Sequence, residues 1–487
     1  MKQIRIKSSV AAMAAVLCMA SSASALENEF HGMLLIKGDF TNFDQAGGND
    51  VMKASTRVPG NILSQGDTGK SFFFTEQRAR LLYRATLTND VKLVTQFEID
   101  SRWGDTSQST ATTRNVGGAM EADQVNLETK NVYMQFKVPY MPTTVLAGIQ
   151  PFDDSYKGVF LSADIAGVMS TTSIGDAKLR VGWLRGYDNK NFNGADNTIP
   201  PVNATSDNKG TSAFVPGRYS LDLGILEANF NVNKALKAGA SYYMTYDNLS
   251  GGYNVLSTFG VNAAYNYGPG VVDGFVLYQT GDNPTNNFGR VGAKVSAFAA
   301  NVGTKVKAGP GTLRANFLYA SGDDGQGEMS AFQGVNQLGD GNTTSTFSAA
   351  QMTMLITNTK YSANTDRGII NTVSNYDQGV IGAFFGYDVD IDKAFLKANL
   401  GMAAAAKENQ SFKLRNQNTG GFENGNYLGT EVNAEAGYKI SENLTASLVG
   451  GYVFLGDYWT DTAKPAGGAV KTPDNPWKTQ AVLKLVF

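Results

Sequence analysis

The sequence predicts an all-β fold: a closed antiparallel transmembrane β-barrel of about eighteen strands, with sixteen as the alternative. Three observations predict it. Segments of about ten residues alternate oily and polar side chains from the first strand to the last, the period of a strand with two unlike faces. The connections between these segments alternate in length, long then short. The chain also ends on an aromatic residue at the tip of a strand, where termini of soluble proteins usually fray.

At the N-terminus, Lys2, Arg5 and Lys7 precede the apolar run Val10 to Ala20, and Ala23-Ser24-Ala25 supplies an A-x-A cleavage site before Leu26. This pattern predicts a secretory signal peptide over 1–25 and one barrel domain over 26–487. Cys18, the only cysteine, lies inside the leader, and Leu17 before it is too large for a lipoprotein-type site. The exported chain therefore has no thiol for disulfides, haem attachment or cysteine-ligated metals. Without the three leader cations, 38 basic residues face 43 acidic ones, a net charge of −5 that gives no basis for nucleic-acid binding. No stretch after the leader approaches the roughly 18 apolar residues of a membrane helix. A membrane barrel can be this polar because only alternate residues meet lipid.

Taken in order, the short connections are Thr88 to Asp90, Val138 to Thr143, Ile174 to Ala177, Asn231 to Lys234, Tyr267 to Gly270, Ala308 to Gly311, Asp390 to Lys393 and Ile440 to Asn443. They carry the Gly, Pro, Asn and Asp that tight turns need. Between them lie long polar segments: Asn42 to Lys70, Asp105 to Asp123, Asp188 to Gly217, Gly322 to Asp377, Glu408 to Tyr427 and Asp457 to Asp474. A soluble sandwich has no reason to sort its loops by length. The even count leaves both chain ends on the short-turn side, so the last strand, Trp477 to Phe487, can pair with Phe30 to Phe40 and leave no open edge.

Single strands show their faces clearly. In Gly429 to Ile440, Val432, Ala434, Ala436 and Tyr438 oppose Glu431, Asn433, Glu435 and Lys439; in Leu313 to Tyr319, Leu313 and Phe317 oppose Arg314 and Asn316. One face suits lipid and the other water. Aromatics such as Phe72, Trp103, Trp183, Tyr265, Tyr438, Trp477 and Phe487 gather at strand ends, as a bilayer's two interfaces would select.

The hairpin from Phe72 to Trp103 carries the chemistry. Its even positions include Glu76, Arg78, Arg80, Arg84, Lys92, Glu98, Asp100 and Arg102, while Leu81, Tyr83, Leu93, Phe97 and Ile99 share the odd face. Each Arg or Lys on the lipid face near the midplane would cost about 2 to 4 kcal/mol, so the charged face is the lumen. Faces must match across a hairpin. One admissible register sets Arg80 beside Asp100; the next sets Arg80 beside Glu98 and Arg78 beside Asp100.

Signal peptide, alternating strands, an arginine-rich early hairpin and a terminal Phe together resemble a Gram-negative general porin over essentially the whole exported chain. The resemblance implies a water-filled channel for passive diffusion of small hydrophilic solutes or ions across the outer membrane, with no cofactor. It implies contact with outer-membrane lipid and lipopolysaccharide, and allows a homotrimer. Porins of this kind fold one loop inward, with acids opposite an arginine cluster. The best match here is Pro151 to Asp164, the third long-side connection, with Asp153, Asp154 and Asp164 as the acidic side. Phe487 would serve barrel closure and assembly.

Other chemistries find less support. His31 is the only histidine, which leaves a barrel hydrolase without a recognisable catalytic partner and makes no metal site. Gly69-Lys70-Ser71 ends like a phosphate-binding loop, but Ser64 stands where its first glycine is required. Gly322-Asp323-Asp324-Gly325 and Asn189 to Gly194 lack a glutamate at the calcium-loop offset and read as solvated loops. The alternative function is a barrel sheathing a multihaem cytochrome as an electron conduit, which needs a wide lumen.

Overall fold

The computed structural model describes residues 27–43, 71–105, 118–120, 127–188, 220–248, 253–283, 292–335, 345–347, 351–357, 361, 368–370, 372–408, 416, 418–421, 423, 425–462 and 472–487. The leader expected over 1–25, Ser64, Gly69-Lys70 and the cluster Asn189 to Gly194 lie outside them.

Eighteen strands form one sheet: β1 (Glu27–Thr41), β2 (Phe72–Thr88), β3 (Val91–Arg102), β4 (Leu127–Lys137), β5 (Thr143–Asp153), β6 (Ser162–Ile174), β7 (Ala177–Asp188), β8 (Ser220–Asn231), β9 (Leu236–Asp247), β10 (Asn254–Asn266), β11 (Gly270–Asp282), β12 (Lys294–Ala308), β13 (Gly311–Ala320), β14 (Val380–Ile391), β15 (Ala394–Ala404), β16 (Tyr427–Lys439), β17 (Leu444–Leu455) and β18 (Trp477–Val486). Each strand pairs antiparallel with its sequence neighbours, and β1 also pairs with β18 from Met33 opposite Val486 to Thr41 opposite Lys478. The sheet is thus closed. The predicted short connections all fall at one end, and Glu27 and Phe487 lie at that same end.

Closure has a steric requirement. Gly32 donates from its backbone N–H to the Phe487 carbonyl at 2.7 Å and accepts from the Phe487 N–H at 3.0 Å. The Phe487 ring lies where a Cβ at position 32 would stand, so glycine is needed for the last residue to seat.

Alternation sends the oily side chains outward. Leu81, Val132, Val181, Phe259, Val302 and Leu396 are exposed on the outer face, while their even or odd neighbours point into the barrel. Among the described residues no helix is long and apolar enough to cross a membrane. Aromatic pairs mark two levels: Phe30 packs on Tyr83 near the short-turn end and Phe40 packs on Trp477 near the other, with ring centroids 5.0 and 4.9 Å apart. Ten residues of one strand separate Phe30 from Phe40, about 33 Å along the strand. With ordinary barrel tilt this spans the roughly 25 Å apolar band of such barrels.

The inner face is not uniformly polar. On β8, Leu221, Leu223 and Ile225 point inward beside Glu227, and all four are buried. They join Tyr243, Leu256, Leu277 and Phe384 in a core that covers two inward-folded connections, β5–β6 and β13–β14.

Candidate luminal site

The charged hairpin adopts the second admissible register: Glu76 opposite Arg102, Arg78 opposite Asp100 and Arg80 opposite Glu98. Cross-strand neighbours on one face lie close enough for their side chains to meet, and here they pair. Arg78 donates to both Asp100 oxygens, Nε at 2.7 Å and Nη2 at 2.5 Å, and its Nη2 lies 3.4 Å from Glu98. Arg80 Nε donates to Glu98. The ladder extends sideways onto β1, where Lys37 Nζ lies 3.3 Å from Asp39 and 3.2 Å from Glu76, and Arg84 reaches Glu29 at 2.6 Å. Arg102 turns to Asp105 at 2.8 Å. Lys92 shares the inward face, opposite Thr86. Arg314 stands far round the barrel on β13, donating to Asp388 at 2.7 Å and Asn399 at 2.9 Å.

Both signs are present on this wall, but they are not equally accessible. The Glu76, Glu98 and Asp100 side chains are 3%, 8% and 4% exposed, against 30% for Arg80 and 35% for Arg84. The guanidinium groups cover the carboxylates and present the positive charge.

The β5–β6 connection, residues 154–161, crosses the lumen as a strap. Asp154 is its organiser: one oxygen accepts the N–H of Tyr156 (2.7 Å) and Gly158 (2.8 Å), the other those of Phe160 (2.7 Å) and Leu161 (2.9 Å). Burial pushes this carboxyl up to about 6 against the opposing pull of the four donors. A turn with φ of 63° at Lys157 and 79° at Gly158 aims the tip at the inner face of β9 to β12. There Tyr156 donates or accepts a 2.5 Å hydrogen bond with Ser241 and packs edge-on to Phe275; Lys157 pairs with Asp273 and donates to Asn301 at 2.6 Å. Two glycines make room. A side chain at Gly260 would collide with the Tyr156 phenol, and one at Gly303 would crowd the Lys157 ammonium. Behind the strap, Glu227 holds Arg180 at 2.7 Å and the Tyr243 hydroxyl at 2.5 Å.

The predicted loop acids are thus dispersed. Asp154 faces into the strap and does not reach toward the arginines. Asp153 ends β5 and accepts from Ser162 at 2.5 Å; Asp164 lies on β6, 2.5 Å from Lys130 and 2.7 Å from Asn131. Acids in one sequence window separate because strand alternation and the strap's own unpaired N–H groups each claim one.

The β13–β14 connection is the feature the sequence reading missed. Its Asp323, read as part of a solvated loop, is buried, accepting from Gly325 at 2.9 Å and Ser330 at 3.1 Å; Asp324 stays exposed, its carboxyl held low by the hydrogen bond from Lys407. Further on, Met354, Leu355 and Ile356 donate their backbone N–H groups to Glu431 at 2.7, 3.0 and 2.7 Å, and Asn433 donates to the Met352 carbonyl at 2.7 Å. Tyr361 donates to Glu435 at 2.5 Å. Glu431 and Glu435 face inward, as the alternation requires, yet both are fully buried beneath this insert. The insert also meets the strap, Val335 N–H to the Phe160 carbonyl and Ser345 hydroxyl to the Val159 carbonyl, both 2.9 Å. The available signal was Met352-Thr353-Met354-Leu355-Ile356, an apolar run inside a segment otherwise polar.

His31 is exposed, with Nε2 3.3 Å from Glu29. Among the described residues no cluster of three or more His, Cys, Asp or Glu is placed to hold a metal ion.

No protein-family model matches the chain, and no characterised protein matches it by sequence. Solved structures do match. A BenF-like porin from Pseudomonas fluorescens Pf-5 aligns at 11% identity over 95% of this chain and 98% of that chain, with a TM-score of 0.51. Its architecture is the one described above. The chain has the porin fold. Pseudomonas aeruginosa OpdL aligns at 11% identity over 95% and 99% of the two chains, TM-score 0.51. OccK2 (OpdF) of the same organism, solved in complex with glucuronate, aligns at 10% identity over 95% and 98%, TM-score 0.50. At such identities the likeness is one of fold, and the porin fold here carries its own luminal side chains.

Proposed function

We propose that this chain is an outer-membrane porin, a water-filled channel through which small hydrophilic solutes or ions diffuse down their own gradients. The observation that carries the reading is a closed barrel, oily outside, whose inner wall holds a charge ladder with its arginines still open to water. Glu76, Arg78, Arg80, Arg84, Lys92, Glu98, Asp100 and Arg102 would line the path, with Arg314 on the far wall. The strap bearing Asp154, framed by Asp153 and Asp164, would narrow it. A lumen charged on one side orders water and favours polar solutes over apolar ones.

The leader over 1–25 would be removed on export, and lipopolysaccharide and a homotrimer fit the same reading. An enzymatic role has no support in the geometry around His31. The cytochrome-sheath alternative loses ground to the strap and insert, which fill space such a partner would occupy. Purified protein in a planar bilayer should give stepwise conductance without any partner. A silent protein, or one that conducts only with a bound cytochrome, would overturn the proposal.

A further inference from the structure

On the short-turn side of the strap lies a cavity of about 450 Å³, inside the range of roughly 300 to 1,000 Å³ usual for small-molecule sites. Its roof is Ser155 and Lys157; its walls are β7 to β11. The luminal face brings Lys178 on β7 opposite Asn229 on β8, and Asn231 opposite Lys237 on β9. Lys178 and Lys237 therefore flank the same short piece of β8 from its two sides. Between Asn229 and Asn262 stands Gly239, where a side chain would collide with both amides. The two amides thus converge over the gap left at Gly239, and that of Asn262 also hydrogen-bonds the Tyr156 hydroxyl.

The charges do not cancel. Three lysines and two aspartates line the cavity, leaving one positive charge in excess. Lys157 and Asp273 are closed on each other, and Asp176 sits in the β6–β7 turn. Lys178 and Lys237 have no ion-pair partner among the described residues, unlike Lys37, Lys130 and Lys157. An ammonium group left unpaired beside carboxamides favours an anion that also offers hydroxyl groups: the lysines take the charge, and the amides both donate and accept.

We propose that this cavity is a second solute site, distinct from the β2–β3 wall, that holds a small hydroxylated monoanion through Lys178 and Lys237 before it leaves by the short-turn mouth. The inference rests on the porin reading, and one experiment separates the two. Chloride current through single channels is measured with gluconate or its neutral counterpart sorbitol added from the short-turn side. Gluconate should reduce the current at concentrations where sorbitol does not. Lys178→Gln with Lys237→Gln should raise the half-blocking gluconate concentration at least about tenfold. Lys393→Gln, which removes a cation from another short turn, should leave it unchanged. Equal block by sorbitol, an unaltered double variant, or an equal loss in Lys393→Gln would each overturn the site while leaving a working channel. Absence of any channel would overturn the porin reading itself.

Discussion

The β2–β3 wall and the β16 wall use the same residues to opposite ends. Both place carboxylates on the luminal face of a strand, at positions that alternation alone would make wet. On β2–β3 the partners are arginine side chains, which satisfy Glu98 and Asp100 and still turn positive surface to the lumen. On β16 the partners are backbone N–H groups of the β13–β14 insert, which satisfy Glu431 and seal it away from water. What a luminal acid does is set by its partner. Arginine partners leave Glu98 and Asp100 in a polar wall, whereas partners on the insert, main-chain at Glu431 and the Tyr361 hydroxyl at Glu435, bring in a plug.

The comparison can be broken at several points. The largest effect is expected from Glu431→Ala, which strands three buried backbone donors and the Asn433 amide at about 1 to 3 kcal/mol each. The insert should undock, seen as larger and noisier single-channel currents; Glu431→Gln, which keeps an acceptor, should be milder. Parental currents in both variants would mean that something else holds the insert. Next in size, Arg78→Gln with Arg80→Gln should move the reversal potential in a salt gradient toward cation preference, a change of roughly 2- to 5-fold in permeability ratio. An unmoved potential would reduce the ladder to structural pairing. Gly303→Leu should then crowd Lys157 off its seat and cost about 1 to 3 kcal/mol, read as a lower unfolding temperature of the barrel. If stability is unchanged, the strap tip is not docked on β12.

The smallest effect concerns Asp154. Its raised value means the folded strap binds the proton more tightly than the unfolded chain. The stabilisation linked to it is complete below about pH 4 and lost as the pH rises through about 6. Asp154→Asn should remove that slope from the barrel's unfolding temperature between pH 4 and 7, and a slope that persists would assign it elsewhere.

Strands and turns were legible because each is fixed by residues close in sequence: the period of two in Gly429 to Ile440, or Gly and Pro in Ala308 to Gly311. The hairpin register narrowed to two choices, and facing charges selected between them. The plug was not legible. Met352 to Ile356 carries no period, and its partner Glu431 lies 75 to 77 residues away. Inward Leu221, Leu223 and Ile225 gave a hint, since apolar residues on both faces of β8 make sense only if something dry sits inside. The strap acids were misplaced because a window of sequence does not say which carboxylate its own backbone will capture.

The seat of Phe487 on Gly32 sets an order of events. The first strand gains its second edge only from β18, so the cylinder cannot close until Trp477–Val486 is in place. Every earlier stage carries two raw edges that need shelter by some other body. A chain short of Phe487 would keep almost all its strand pairing and lack only the two hydrogen bonds to Gly32 and the ring that covers it.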